Sequence, residues 1–152
     1  MRIVNQMKLE IMSIPENVAL ARVTVAAFAS QIDYTLSDLD EIKVAVSEAI
    51  SNAIIHGYSK DPNQIVSVVA SIFNDQSLEI IIEDKGKGIE NVEEAIQPAF
   101  TTDDERMGLG FVFMQSFMDE LKVDSVVNQG TKIKMVKKFD QHAQIQNTKG
   151  SQ

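Results

Sequence analysis

One helix-length run in the middle of the chain sets the strictest condition on the fold. Between Ser37 and Gly57, apolar residues recur at helical spacing: Leu39, Ile42, Val46, Ala49, Ile50, Ala53 and Ile54. We expect Ser37 to cap the helix start, where Asp38 and Glu41 suit its positive end, and Gly57 to stop it. A helix with such an apolar stripe buries one side against another layer of structure.

The hydrophobic pattern on either side of this helix predicts a small α/β domain. The predicted strands are Met7–Ile11, Ile65–Phe73, Leu78–Asp84 and a closing hairpin, Leu121–Val127 with Thr131–Phe139. The other predicted helices are Glu16–Ile32, a short one around Val92–Gln97 and a buried one over Phe111–Met118. This order predicts a two-layer α/β (α+β) sandwich: one mixed sheet with its helices on one face.

Length and composition indicate one ordinary globular domain. At 152 residues the chain can bury about 70% of its unfolded surface in a single core. We assign residues 1–139 to that domain and expect the polar tail, residues 140–152, to be disordered. There is no cysteine, which removes disulfides and thiolate chemistry and suits a cytoplasmic protein.

Charge and hydropathy argue against nucleic-acid and membrane partners. A formal net charge of −8 argues against a protein that contacts phosphate backbones, and it favours a protein partner with basic patches. The start of the chain has no apolar core of signal-peptide length, and the most apolar stretch, Val23–Ala29, is too short to cross a bilayer.

Two polar residues lie one turn apart on the central helix. Glu48 and Asn52 belong to a stripe with Glu41 and Ala45, opposite the apolar stripe. A solvated helix face explains this pair equally well. The functional interpretation is that Asn52 offers a neutral oxygen to Mg²⁺ and that Glu48 accepts a proton beside a γ-phosphate.

Two glycine motifs are candidate nucleotide loops. Asp84-Lys-Gly86-Lys-Gly88 follows a predicted strand, where Asp84 can accept a hydrogen bond from the adenine amine and the glycines allow close approach. Gly108-Leu109-Gly110 precedes a predicted helix, whose free amides would hold a phosphate, after a mobile segment over residues 99–107. An ordinary capped turn and an ordinary helix entry are the alternatives.

Taken together, the motifs resemble the GHKL ATPase/kinase superfamily. The resemblance is carried by Glu-x-x-x-Asn on a helix, Asp-x-Gly-x-Gly after a strand, Gly-x-Gly before a helix, and Gly130-Thr131 opening a late strand. Within it, RVTVAAFASQID, EIKVAVSEAISNAIIHGY and NVEEAIQPAFTT are similar to the anti-sigma-F serine kinases of sporulating bacteria. The similarity runs from about Met7 to Phe139.

The resemblance implies a Bergerat-type ATP-binding fold, a homodimer and two protein partners. One partner is a sporulation sigma factor, which is held inactive, and the other is an anti-anti-sigma protein, which is phosphorylated on a serine with Mg²⁺ and ATP. An apolar sheet face left uncovered by the helices would be a reasonable interface for the second subunit or the sigma factor.

The resemblance also implies roles for individual residues. Asn52 would bind Mg²⁺, Glu48 would be the catalytic base, Asp84 would read adenine, and Thr131 would support that contact through water. Arg22, on the first helix, would touch both partners. The remaining residues would shape the nucleotide loops and the lid: Gly86, Gly88, Thr102, Arg106, Gly108, Leu109 and Gly110.

The lid departs from the family pattern. Between Thr102 and Gly108 the chain reads Asp-Asp-Glu-Arg-Met, which is short and lacks the usual Lys-Pro start, so Arg106 is the residue there that can reach a γ-phosphate or the partner. His56, one turn after Asn52, is expected to bond a carbonyl at the helix end, and His142 lies in the tail.

Several functions fit these motifs. A protein-serine kinase that also sequesters a sigma factor is the leading hypothesis, because a serine hydroxyl needs a base such as Glu48 whereas a histidine acceptor does not. The alternatives are an ATPase that drives its own dimer closure, an ATP-binding switch without phosphotransfer, and a kinase for a stress-response sigma factor.

Overall fold

The computed structural model describes residues 1–97 and 105–140. In this part of the chain, five strands form one sheet. The strands are β1 Ile3–Met12, β2 Ile65–Phe73, β3 Leu78–Asp84, β4 Glu120–Val126 and β5 Gly130–Lys137. The helices are α1 Glu16–Ala29, α2 Leu36–Asn52, α3 Val92–Ile96 and α4 Glu105–Phe117, and the π-helical turn Ala53–Gly57 directly continues α2.

The sheet has the strand order β1-β2-β3-β5-β4, and each of these neighbouring pairs is antiparallel. The prediction of a mixed sheet is therefore wrong for the described strands. The chain passes from β3 to β4 through α4, which makes these two strands run in the same direction. Because β5 lies between them, they never pair with each other.

The core lies between one face of the sheet and the helices, which confirms the two-layer α/β sandwich. Alternate residues of the central strands point into it, so Ile80, Ile82 and Met135 are almost fully buried. The apolar stripe of α2 meets them from the other side, with Ile42, Val46, Ala49 and Ile50 fully buried.

The uncovered face of the sheet is polar rather than apolar. Lys134 lies 3.4 Å from Glu79, and Lys132 lies 3.8 Å from Glu83, across the β3–β5 pair. The expectation of an apolar uncovered face is wrong, because the residues that alternate with the buried ones in these strands are mostly charged. Such cross-strand ion pairs suit a solvated sheet face.

The central helix begins two residues earlier than predicted. Thr35, not Ser37, is the N-cap: its side chain accepts a hydrogen bond from the Asp38 amide, and the Asp38 carboxylate accepts one from the Thr35 amide. This reciprocal capping box satisfies two backbone donors at once.

The first helix ends at Ala29 rather than Ile32. Ile32 is nonetheless buried, and the Tyr34 hydroxyl donates to the Lys137 carbonyl at 2.7 Å, so the segment after α1 turns back onto the sheet. No helix in the described ranges is long and apolar enough to span a bilayer.

Candidate functional site

A cavity of about 820 Å³ opens at the end of the central helix. It lies between the π-helical turn, the loop after β3, α3, the start of α4 and the turn between β4 and β5. Four residues predicted from sequence line it: Asn52, Asp84, Gly88 and Thr131. Its volume is in the range of cavities that hold small ligands and cofactors.

Asn52 is the last residue of α2, and its side chain is buried at the cavity wall. Its Nδ2 atom has no hydrogen-bond partner within the part of the chain that the structure describes. A buried N–H donor without an acceptor costs free energy, and a ligand that places an acceptor atom in the cavity would remove that cost. Asn52 therefore fits a role in holding a bound group.

Glu48 is half-buried one helical turn before Asn52 and does not line the cavity itself. It faces α4: a Cβ atom added at Gly110 would lie 2.9 Å from Glu48 Oε2 and 3.4 Å from Asn52 Oδ1. The missing side chain of Gly110 thus allows α4 to approach the two polar residues of α2. The pair is not simply a solvated helix face.

The Gly108-Leu109-Gly110 motif lies inside α4, not before a helix as predicted. The helix begins at Glu105, so Leu109 and Gly110 follow the four positions whose amides lack an acceptor within the helix. Residues 105–107, expected to be mobile, are helical, while 99–104 lie outside the described residues. Leu109 is half-exposed, and none of the motif's three residues lines the cavity.

Asp84 ends β3 with its carboxylate buried at the cavity. Its Oδ1 accepts a hydrogen bond from the Gly86 amide at 2.9 Å. Burial raises the pKa of Asp84 above its ordinary value, and the amides of Gly86 and Thr131 act in the opposite direction. Asp84 is held as a buried acceptor that can receive one more hydrogen bond.

The loop after Asp84 is held by backbone hydrogen bonds to two other segments of the chain. Lys87 donates to the Gly57 carbonyl at 2.9 Å and accepts from the Asn128 amide at 2.7 Å. A Cβ atom at Gly86 would collide with the Gly57 carbonyl, which explains the glycine there. Gly88 has a φ of +75° and lies against Val126. The loop is therefore a preformed cavity wall.

Two residues that sequence reasoning missed hold this wall in place. A Cβ atom at Gly57 would lie 2.7 Å from Asp84 Oδ1, so Gly57 does more than end a helix. The Tyr58 hydroxyl accepts from the Lys85 amide at 2.7 Å and donates to the Ile65 carbonyl at 2.6 Å. Neither contact has a local sequence signal, because the partners are far apart along the chain.

Comparison with known proteins identifies the family. Residues 11–137 match the model of the histidine kinase-like ATPase domain. The chain is 50% identical over 135 residues to an anti-sigma F factor of Anoxybacillus flavithermus, covering 88% of this chain and 92% of that protein. An anti-sigma F factor of Clostridium acetobutylicum is 49% identical over 137 residues, covering 89% of this chain and 94% of the relative. The chain belongs to the histidine kinase-like ATPase family, in the branch of the anti-sigma F factors.

Solved structures share the fold of this anti-sigma F family member at low identity. The RsbU and RsbW domains of Rv1364c from Mycobacterium tuberculosis superpose with a TM-score of 0.64 at 17% identity, covering 89% of this chain and 32% of that one. The SiaB–SiaC complex from Pseudomonas aeruginosa gives a TM-score of 0.59 at 11% identity, covering 89% of both chains. These similarities confirm the predicted Bergerat-type fold.

The other residues singled out in the sequence lie on the first helix, at the cavity or outside the described residues. Arg22, on α1, donates to the Ser47 hydroxyl at 3.1 Å, which places it on the helix layer beside the residue preceding Glu48. His56 is half-buried and lines the cavity. Thr102, the side chain of Arg106 and His142 lie outside the described residues.

The site also fits a magnesium ion that enters with a nucleotide. The described residues contain no group of three or more His, Cys, Asp and Glu side chains that could hold a metal by itself. Mg²⁺ commonly takes only one or two protein ligands and completes its shell with phosphate and water oxygens. The Asn52 amide oxygen is a suitable ligand of that kind.

Proposed function

We propose that this protein is a cytoplasmic, homodimeric anti-sigma factor and protein-serine kinase. It would bind a sporulation sigma factor and hold it inactive, and it would use Mg²⁺ and ATP to phosphorylate an anti-anti-sigma protein on serine. Membership of the ATPase family and identity of about half with anti-sigma F factors support this proposal. The observation that carries the kinase part is the carboxylate of Glu48 beside Asn52 and Gly110.

Different residues around the cavity would bind different parts of Mg·ATP. Asp84 would accept a hydrogen bond from the adenine amine, with Thr131 beside it on the next strand. Asn52 would hold Mg²⁺ through its amide oxygen. When bound, Mg·ATP supplies the phosphoryl group and the positive charge that the transfer needs. The glycines of the Asp84 loop allow the backbone to lie close to the nucleotide.

Glu48 would act on the phosphate acceptor. A serine hydroxyl is a weak nucleophile until it loses its proton. The Glu48 carboxylate would accept that proton as the serine oxygen attacks the γ-phosphorus of ATP, while the bond from that phosphorus to the ADP oxygen breaks and ADP leaves. Such general-base help contributes about 10²–10⁴-fold to a rate. A histidine acceptor already has a free lone pair, so a carboxylate at this position favours a serine kinase over a histidine kinase.

A phosphotransfer assay tests this function. The protein is incubated with labelled ATP, Mg²⁺ and an anti-anti-sigma protein, and label on the partner's serine is followed. We expect Glu48→Gln to bind ATP as the wild type does and to transfer phosphate at least 10²-fold more slowly. The matched control is Asp40→Asn, on the exposed side of the same helix, where the side chain is 75% exposed. This control should transfer normally.

Each other outcome supports a named alternative. Phosphate release that needs no partner indicates an ATPase, and ATP binding without any transfer indicates a binding switch. Phosphate transfer combined with sequestration of a stress-response sigma factor would keep the kinase assignment and change only the sigma factor that is regulated. Transfer by Glu48→Gln at the wild-type rate contradicts the assignment of the base.

A further inference from the structure

The central helix continues into a π-helical turn that lies against the Asp84 loop. The turn spans Ala53–Gly57, directly after Asn52, and the Tyr58 amide donates to the Ala53 carbonyl at 2.9 Å, five residues back. Gly57, the last residue of the turn, lies so close to Asp84 that a Cβ atom there would be 2.7 Å from Asp84 Oδ1. Such π-helical turns are rare and are frequent at functional sites.

Gly57 and Tyr58 hold the loop through two of its backbone amides. The Gly57 carbonyl accepts a hydrogen bond from the Lys87 amide at 2.9 Å. The Tyr58 hydroxyl accepts one from the Lys85 amide at 2.7 Å and donates its own proton to the Ile65 carbonyl at 2.6 Å. Because Tyr58 is only 8% exposed, water cannot readily replace this hydroxyl.

These hydrogen bonds fix the place of Asp84 relative to Asn52. Lys85 directly follows Asp84, so the peptide group that Tyr58 holds is the one through which the chain leaves β3. Asp84 and Asn52 line the same cavity, one on the sheet and one on the helix. A ligand that contacts both residues binds more tightly when their spacing is set before it arrives.

We propose that Gly57 and Tyr58 form a positioning clamp for the nucleotide site. Tyr58 is the positioning residue of this clamp: it does not line the cavity, and its hydroxyl acts on the nucleotide through the placement of Asp84. This inference rests on the proposed ATP site. It adds to that site the residues that set the spacing between its helix side and its sheet side.

Calorimetric binding of ATP to Tyr58→Phe tests the proposal. The Lys85 amide loses its acceptor, and we expect the affinity for ATP to fall about three- to tenfold, the effect of about one hydrogen bond. The matched control is Tyr34→Phe. Tyr34 is also buried, its hydroxyl donates to the Lys137 carbonyl at 2.7 Å, and it does not line the cavity.

The control separates positioning from stability. Both variants lose a buried hydroxyl, so both are expected to unfold more easily than the wild type. Tyr34→Phe should nevertheless bind ATP with the wild-type dissociation constant. A purely structural role of Tyr58 would reduce the fraction of protein that binds and leave the dissociation constant of that fraction unchanged, and this result would overturn the proposal.

A double-mutant cycle shows whether Tyr58 acts through Asp84. In the Asp84→Asn background, Tyr58→Phe should change the affinity for ATP by less than about twofold, because the contact that Tyr58 positions has already been removed. If Tyr58→Phe has its full effect in that background, Tyr58 acts at another place and the clamp is refuted.

The outcomes also separate this proposal from the proposed function. If the wild type binds no ATP, both fail. If the wild type binds ATP and Tyr58→Phe binds it equally well, only the clamp is overturned. Should Tyr58→Phe not unfold cooperatively, Gly57→Ala decides. Its Cβ atom would displace the flexible end of the Asp84 side chain, so the proposal expects weaker binding of ATP, and unchanged affinity contradicts it.

Discussion

At the scale of single residues, the close contact of Gly110 with Glu48 links helix packing to chemistry. A glycine inside a helix is unfavourable by about 1 kcal/mol relative to alanine, so its presence in α4 calls for a packing reason. The reason is that a Cβ atom there would meet the end of the Glu48 side chain at 2.9 Å. A flexible carboxylate can move away, which makes this position informative.

We therefore expect Gly110→Ala to separate stability from activity. The free energy of unfolding should stay the same or rise by up to about 1 kcal/mol, because alanine favours the helix. Phosphotransfer should fall by about 10²-fold, because a displaced base loses its alignment. Chemical denaturation and the labelled-ATP assay measure the two effects. Ser116→Ala, exposed on the same helix, is the control, and a fully active Gly110→Ala would contradict the placement of the base.

Asp84 provides a second way to separate stability from function, through the dependence of stability on pH. Its pKa is raised above the ordinary 3.8 by burial, so the ionised carboxylate lowers the free energy of unfolding at neutral pH. That cost is absent below the ordinary pKa, appears as pH rises towards the raised pKa, and is fully present above it. Asp84→Asn should therefore be at least as stable as the wild type at neutral pH, and the difference should vanish in acid.

The same variant should bind ATP poorly. In this variant a neutral amide, which also carries an N–H donor, replaces the charged carboxylate acceptor. The loss of a hydrogen bond to a charged group corresponds to about 10–100-fold in affinity. Calorimetric binding and unfolding curves at several pH values give both quantities. An Asp84→Asn protein that is less stable at neutral pH would show that burial does not dominate the pKa of Asp84.

At the scale of elements, the start of α2 shows how a cap is chosen. Both Thr35 and Ser37 are residues that cap helices, and each stands three positions before an aspartate, but the reciprocal hydrogen bonds form between Thr35 and Asp38. We expect Thr35→Ala to lower the free energy of unfolding by about 1 kcal/mol, while Ser37→Ala stays within about 0.5 kcal/mol of the wild type. Urea denaturation of both variants measures this difference, and equal effects would contradict the assignment of the cap.

At the scale of the whole molecule, a buried lysine joins the two layers. The Lys137 ammonium, on β5, donates to Glu41 of α2 at 2.7 Å and to the Phe117 carbonyl at the end of α4 at 2.6 Å. It lies six residues along β5 from Thr131, about 20 Å at the rise of an extended strand. Its role is therefore in holding the helices on the sheet and not in the site.

Replacing Lys137 should destabilise the protein without altering nucleotide binding. Lys137→Met leaves the Phe117 carbonyl without its donor and Glu41 without its partner, which should lower the free energy of unfolding by about 2–3 kcal/mol. Lys132→Met, which breaks an exposed ion pair with Glu83, should cost less than about 0.5 kcal/mol. Denaturation and ATP titration of both proteins check this, and similar losses for the two lysines would refute it.

Local pattern was sufficient for much of the fold. β2 and β3 run over the residues predicted for them. The reason is that an apolar run of strand length, bounded by turn residues, can be recognised from neighbouring positions in the sequence alone. The helix carrying Glu48 and Asn52, and the placement of Asp84 at a strand end, follow from equally local signals.

Contacts between distant residues required the folded chain. The Lys85 amide meets the Tyr58 hydroxyl across 27 positions, and the Ile89 amide meets Ser125 across 36. The antiparallel pairing of the sheet depends on β5 lying between β3 and β4. The need for a glycine at Gly110 inside α4 depends on the close approach to α2. Periodicity records which side of an element is buried, but it does not record which element covers it.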